Sequence, residues 1–368
     1  MIDNVNGGFY GRINGLNNLI PDAEKGIILN SRILWSFSAA FNHYKYPSFF
    51  DLAERTFEYM IKHFLDHQRG GVYWMLDYKG KPTESKKQIY AQAFAIYGLV
   101  EFYKASNSKL ALDHAIDLYQ LIEKHSFDKK LNGYIEALDT DWKPLADVRL
   151  SEKDLNAEKT MNTHLHILEA YTHLYRYWND KTLHTQLKNL ILLMMDKFIS
   201  DKNNFLLFFD KQWNLLSDEI SYGHDIEGSW LLYEAAEVLG DKEIISRARK
   251  VAIDMVDAAI DGMDYDGGMM NEGRGESVID TDKHWWPQAE ALVGFVNAWQ
   301  LTGKDKYIMY AERVWGFILT KMVDHENGEW FWKVSREGEV DPVEDKAGPW
   351  KCPYHNSRAL LEIMHRLS

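Results

Sequence analysis

The chain has 368 residues, 46% of them hydrophobic, and carries 42 Lys and Arg against 55 Asp and Glu, a formal net charge of −13 at pH 7. That is enough apolar material for a large core, and the dispersed positive charge excludes the basic stripe of a nucleic-acid binder. A single cysteine (Cys352), no signal-peptide pattern over Met1 to Tyr10 and no apolar run near the roughly 20 residues that span a bilayer predict a cytoplasmic, non-membrane protein with a neutral or weakly charged small ligand.

Read in order, the chain repeats one pattern six times, at intervals of about 60 to 70 residues. Gly7-Gly8-Phe9-Tyr10 marks a short hairpin, Asn30-Ser31-Arg32 opens an apolar helix, and Phe49 to Phe64 forms a more charged one. Gly70-Gly71-Val72-Tyr73-Trp74 begins the second repeat; Tyr90-Ala91-Gln92 heads the helix Ile89 to Tyr103, and Leu110 to Ile122 follows. The third has Asn132-Gly133-Tyr134, the cluster Asn162-Thr163-His164-Leu165-His166, and helices over Leu165 to Trp178 and Lys181 to Phe198.

In the fourth, Asn203-Asn204-Phe205 precedes Tyr222-Gly223-His224-Asp225-Ile226-Glu227 and helices Ile226 to Leu239 and Ile244 to Ile260. The fifth runs from Gly267-Gly268-Met269 through His284-Trp285-Trp286 and Glu290 to helices Ala289 to Leu301 and Lys306 to Thr320. The last has Asn327-Gly328-Glu329-Trp330-Phe331-Trp332, then Tyr354-His355-Asn356-Ser357-Arg358 and a helix over Ala359 to Leu367.

The apolar helices read as an inner layer and the charged ones as an outer layer. Six inner helices and five outer ones make an all-α ring of paired helices, a single domain over 1–368, in which the first outer helix is missing. If the ring closes, the six polar clusters face one cavity. A groove beside Phe57 and Phe64 is then expected to need cover from another chain, so a monomer or a homodimer is expected. Thr140 to Lys159 reads as a long, charged, mobile loop bordering the site.

His224 and Glu227 are three residues apart at a helix start, so the carboxylate is placed to orient the imidazole, and Trp230 extends that face. His355 follows Pro353, which fixes the chain before the last helix. Taken alone, each histidine reads as a satisfied structural residue at a helix start; the shared position in the repeat is what raises them. His166 shares a face with Asn162, whereas His164 points elsewhere and reads as structural.

No HExxH or CxxC spacing supports a metal site, Cys352 reads as a small packed residue, and no carboxylate pair suited to glycoside hydrolysis stands out. Trp285, Trp286 and Trp350 lie within the clusters, where flat rings stack on sugars. Two histidines on opposite sides of a ligand suit removal of a proton beside a carbonyl and its return to the other face, with Arg32 as the fixed cation for the ene-diolate oxygen.

These motifs resemble the N-acylglucosamine 2-epimerase superfamily, most closely its cellobiose 2-epimerase branch. The likeness rests on Asn30-Ser31-Arg32-Ile33-Leu34-Trp35, Thr160-Met161-Asn162, Ser221 to Glu227, Trp285-Trp286 with Gln288-Ala289-Glu290, and Trp350 to Asn356. The resemblance implies an (α/α)6 barrel and metal-free, cofactor-free C2 epimerisation of the reducing-end glucose of cellobiose or lactose. It implies His224 and His355 as the acid/base pair, Glu227 and Arg32 in support, and His166 as a third histidine assisting ring opening. Tyr90, Asn162, Trp230, Trp286, Glu290 and Trp350 are its implied pocket residues.

A monosaccharide aldose–ketose isomerase or mannose 2-epimerase, and a glycoside hydrolase on the same barrel, are the alternative expectations. The chain departs from the family pattern at the absent first helix, at Pro287, and in the Gly-rich stretch from Asp264 to Asp280.

Overall fold

Six turns organise the chain, and each is closed by one antiparallel bridge: Ile2 with Phe9, Leu65 with Val72, Phe127 with Tyr134, Ile199 with Phe205, Met263 with Met269, and Val323 with Trp330. Their backbone is left-handed at Gly70 (φ 76°), Gly71 (φ 78°) and Asn132 (φ 65°), which explains the recurrence of Gly and Asn in the sequence. The computed structural model describes residues 1–368.

A short strand behind each turn after the first pairs antiparallel with the strand leading into the previous repeat's buried helix. Met75–Leu76 pairs with Lys25–Gly26, Ala137–Leu138 with Lys87–Gln88, and Phe208–Phe209 with Lys159–Thr160. Glu272–Arg274 pairs with Glu219–Ser221, and Lys333–Val334 with Lys283–His284. These pairings stitch successive repeats together and fix where the first five buried helices begin.

The chain divides into two units. The first comprises Met1–Leu183, Phe208–Leu216 and Asp345–Tyr354. In it α1 (Ile27–Tyr44), α3 (Ile89–Ser106) and α5 (Met161–Tyr175) pack side by side, with α2 (Pro47–Tyr59, extended by one π turn to Phe64) on α1 and α4 (Lys109–His125) on α3. Ile89 to Ile96 are all buried, whereas α2 buries only Ala53, Thr56, Phe57 and Tyr59, as expected of a surface helix with one apolar stripe.

The second unit comprises His184–Leu207, Ser217–Glu344 and His355–Ser368. It takes most of α6 (Lys181–Lys197), then α7 (Tyr222–Leu239) and α9 (Trp285–Thr302) packed together, with α8 (Lys242–Ala259) on α7 and α10 (Asp305–Phe317) on α9. The last helix, α11 (Tyr354–Leu367), belongs to this unit from its second residue.

Four repeats carry a fully buried lysine in the strand before the helix, paired with an aspartate at the head of the turn. The pairs are Lys25–Asp3 (2.8 Å), Lys87–Asp66 (2.8 Å), Lys159–Asp128 (3.1 Å) and Lys283–Asp264 (2.9 Å). Asp66 shows the economy of the arrangement: Oδ1 accepts the N–H groups of Gln68 and Arg69 in the turn, and Oδ2 takes the lysine. In the fourth repeat the two positions hold Ser200 and Ile220.

Three sequence expectations change here. The buried helices begin about one turn earlier than their apolar periodicity, α5 at Met161, α7 at Tyr222, α9 at Trp285 and α11 at Tyr354. Strand pairing, rather than apolar spacing, sets the starts of α5, α7 and α9, and the polar clusters occupy the first turns. Phe57 and Phe64 are buried within the chain, Phe57 against Phe102 with ring centroids 4.5 Å apart, so these rings need no second chain. The segment after Thr140 is tied down: Asn156 accepts from Val148 N–H (2.9 Å) and donates to Ala146 O (2.8 Å), and Gln88 Nε2 donates to Val148 O (3.2 Å).

Candidate functional site

In four of the buried helices, α3, α5, α7 and α9, the fourth residue turns back to brace the hairpin, which sorts structural polar groups from the rest. Gln92 Oε1 accepts Val72 N–H (2.8 Å), and Gln288 Oε1 accepts Met269 N–H (2.7 Å). His164 Nε2 accepts Tyr134 N–H (2.8 Å) while Nδ1 reaches Thr160 O (2.7 Å), which fixes a neutral tautomer; burial pushes its pKa down to about 3. Asp225 accepts Phe205 N–H (2.6 Å) and Asn204 Nδ2 (2.9 Å), and burial pushes its carboxyl up to about 7. His164 and Asp225 are therefore brackets.

In the second unit the residues left over by that rule come together. Trp286, on the first turn of α9, lies with its ring centroid 4.7 Å from that of His224 and 6.0 Å from that of His355. Its placement depends on Gly223, where a Cβ would stand 2.6 Å from the indole. The two imidazoles thus flank one indole, each with Nδ1 engaged: His224 with Ser221 Oγ (2.7 Å), and His355 with Glu290 Oε1 (2.6 Å).

Behind His355 lies a fully buried charge cluster. Arg358, one turn along α11, donates to Glu227 Oε1 (2.7 Å) and Glu290 Oε1 (2.6 Å), and its guanidinium sits 5.0 Å over the Trp230 ring. Trp230 Nε1 donates to Glu290 Oε2 at 3.1 Å. Burial alone would raise the Glu290 pKa, but the Arg358 charge and the hydrogen bonds from His355 and Arg358 outweigh it and hold the carboxyl below its usual value.

Donor atoms of Glu227, Glu290 and His355 lie within 4.8 Å of one another, a spacing that a metal ion would accept. Arg358 already bonds both carboxylates there, so the cluster is built around a fixed guanidinium.

The structure adds partners to the residues singled out in the sequence. Glu227, which its spacing pairs with His224, accepts a hydrogen bond from Arg358, and the Ser221 hydroxyl is within bonding reach of His224 Nδ1. Glu290 and Trp230, expected in the pocket lining, are wired to His355 from behind. Arg358 and Ser221 carried no role in the sequence reading. Their signal was present: each stands three residues from a candidate histidine, on the same helix face or at its entrance.

The first unit holds a second constellation. His166 Nδ1 lies 2.9 Å from Glu169 Oε2, and Tyr354 donates to Glu169 Oε1 at 3.0 Å. Tyr90 and Phe94 pack on His166 with centroids 4.9 Å and 4.7 Å away. Arg32 is 4% exposed, lies over Phe94 (4.6 Å) and Tyr354 (5.1 Å), and donates to Tyr90 Oη (3.1 Å) and the Trp350 carbonyl. Its Nε and Asn162 Oδ1 are buried with no hydrogen-bond partner. Trp350 and Trp74 wall a cleft of about 260 Å³ that is also lined by Leu150, Ser151 and Glu152.

Comparison with known proteins decides the lineage: the N-acylglucosamine 2-epimerase family matches residues 8–359. The chain belongs to the N-acylglucosamine 2-epimerase family. Within that family it is 49% identical over 366 residues to the cellobiose 2-epimerase of Bacteroides fragilis, covering 99% of this chain and 93% of that protein. It is 39% identical to the cellobiose 2-epimerase of Dictyoglomus turgidum at the same coverage.

The solved cellobiose 2-epimerase of Bacillus thermoamylovorans superposes with a TM-score of 0.94 at 39% identity, over 99% of this chain and 94% of that one. The N-acylglucosamine 2-epimerase family member described here therefore has the all-α, (α/α)-barrel class of fold. A D-mannose isomerase structure shares that fold at 20% identity and a TM-score of 0.87.

Proposed function

We propose that this chain is a carbohydrate epimerase that inverts C2 of the reducing-end glucose of β-1,4-linked disaccharides such as cellobiose and lactose. The observation that carries the mechanism is the pair of imidazoles flanking Trp286, each held through Nδ1. Once the sugar ring has opened, one histidine removes the C2 proton and the other delivers a proton to the opposite face. Glu290 orients His355 and stabilises its imidazolium, and Ser221 helps orient His224.

Arg32, a cation held over two rings, suits the ene-diolate oxygen, and His166 with Glu169 suits the proton transfers of ring opening. Tyr90, Asn162 and Trp350 are assigned to substrate binding, with Trp286 offering a flat face for a sugar. The chemistry needs no redox step, so no cofactor is invoked. No helix is long and apolar enough to cross a membrane; a cytoplasmic, single catalytic domain acting on a small sugar, as a monomer or a homodimer, completes the proposal.

Incubation with cellobiose followed by chromatography tests it. Glucosyl-mannose is the expected product. Free glucose would replace the proposal with hydrolysis, and conversion of free mannose with cellobiose untouched would replace it with a monosaccharide isomerase.

A further inference from the structure

We propose that Arg358 is a positioning residue that sets the proton affinity of His355, acting through the carboxylate it shares with that histidine. The inference rests on the reading of His355 as an acid/base group, and it concerns a residue with no direct part in the proton transfers.

The chain of contacts is short. Glu290 Oε1 accepts from His355 Nδ1 and from Arg358 Nη2, both at 2.6 Å, and the same Nη2 lies 2.7 Å from Glu227 Oε1. All four side chains are at most 6% exposed. With a neutral imidazole the group Arg358, Glu227 and Glu290 sums to one negative charge; with an imidazolium it sums to zero.

Without Arg358 two buried carboxylates would face each other beside the ring. Both the direct loss of a nearby cation and the release of Glu290 would then favour the imidazolium. Arg358 therefore keeps His355 from being locked in its protonated form, which an acid/base catalyst working in both directions requires.

Other charges face the same group. His224 stands on α7 with Glu227, and Glu362, on α11 one turn beyond Arg358, interacts with Glu234 of α7 and with Arg366 and His365 of its own helix. These groups remain in place in the variants below. Direct Coulomb coupling across a few ångströms in a protein interior is worth on the order of one to two pH units.

The test is the pH profile of kcat/KM for epimerisation, measured on the full chain for wild type, Arg358→Gln, Arg358→Lys and Glu227→Gln, with folding checked by circular dichroism. Arg358→Gln moves the acidic limb up by about one unit or more, Arg358→Lys restores part of the shift, and Glu227→Gln moves it down. Opposite signs for the two single-charge deletions are what a purely structural role would not give.

A folded Arg358→Gln enzyme with the wild-type limb overturns the proposal. If Arg358→Gln does not fold, Glu227→Gln decides alone, and an unmoved or upward limb overturns it. His355→Asn separates the two levels. If that variant still epimerises, the assignment of His355 itself falls; if it is inactive while the Arg358 profile stays unmoved, only the positioning role falls.

Discussion

Nδ1 of His355 lies 2.6 Å from Oε1 of Glu290, and both residues are buried. His224 Nδ1 lies 2.7 Å from Ser221 Oγ, so both imidazoles that flank Trp286 are held through Nδ1. A carboxylate stabilises an imidazolium more than a neutral acceptor does, so Glu290 favours the protonated form of His355.

Glu290→Gln keeps the shape of that contact and removes its charge. It lowers kcat by about a hundredfold or more, the scale of one general acid/base interaction, with an intact far-ultraviolet spectrum. Steady-state kinetics with cellobiose check this; wild-type turnover would show that the carboxylate is not needed.

Ser221→Ala removes the partner of His224 Nδ1 without disturbing the strand, since the hydroxyl rather than the backbone makes the contact. The loss of one neutral hydrogen bond, about 1 kcal/mol, lowers kcat roughly threefold to tenfold with little change in KM. A KM-only effect would place Ser221 in substrate binding.

Stability should fall between acidic and neutral pH because of Asp225. Burial holds its native pKa at about 7, above the ordinary aspartate value of 3.8, so the folded protein binds this proton more tightly than the unfolded chain. That contribution is whole below about pH 4 and is lost as pH rises through about 7. Asp225→Asn flattens the decline of Tm between pH 5 and pH 8. Glu136, also raised to about 7 by burial, adds a separate contribution of the same sign, so some slope persists.

The buried Lys–Asp brackets give a stability prediction away from the chemistry. Lys159→Met strands Asp128 and destabilises the fold by about 3 kcal/mol or more, and adding Asp128→Asn recovers part of that loss. Chemical denaturation of the single and double variants measures both. Equal stability of the single variant and wild type would show the bracket to be idle.

Much of this was legible in the sequence because the repeat is carried by residues with special backbone needs. Gly70-Gly71 and Asn132-Gly133 sit in left-handed turns, so the hairpins could be found, and six apolar and five charged helices correspond to α1 through α11. Helix starts were not legible from periodicity, since Met161 and Tyr222 begin helices through strand pairing and their first turns are polar yet buried.

The same logic governs the site. His224 and His355 stood out as histidines at helix starts, whereas Arg358 looked like one more charge in a cluster until its two carboxylate partners, 131 and 68 residues away, were seen beside it. Long-range pairs of that kind leave no local pattern. The lysines that precede the buried helices did leave one, every repeat but two, and it marks the brackets.

The central claim is proton exchange at C2 between two histidines, and reaction of cellobiose in heavy water tests it most directly. Proton NMR of the wild-type product is predicted to show glucosyl-mannose with deuterium at C2 of the reducing sugar, and His355→Asn to yield none. Glucosyl-mannose that retains its original hydrogen at C2, or full turnover by His355→Asn, would contradict the account.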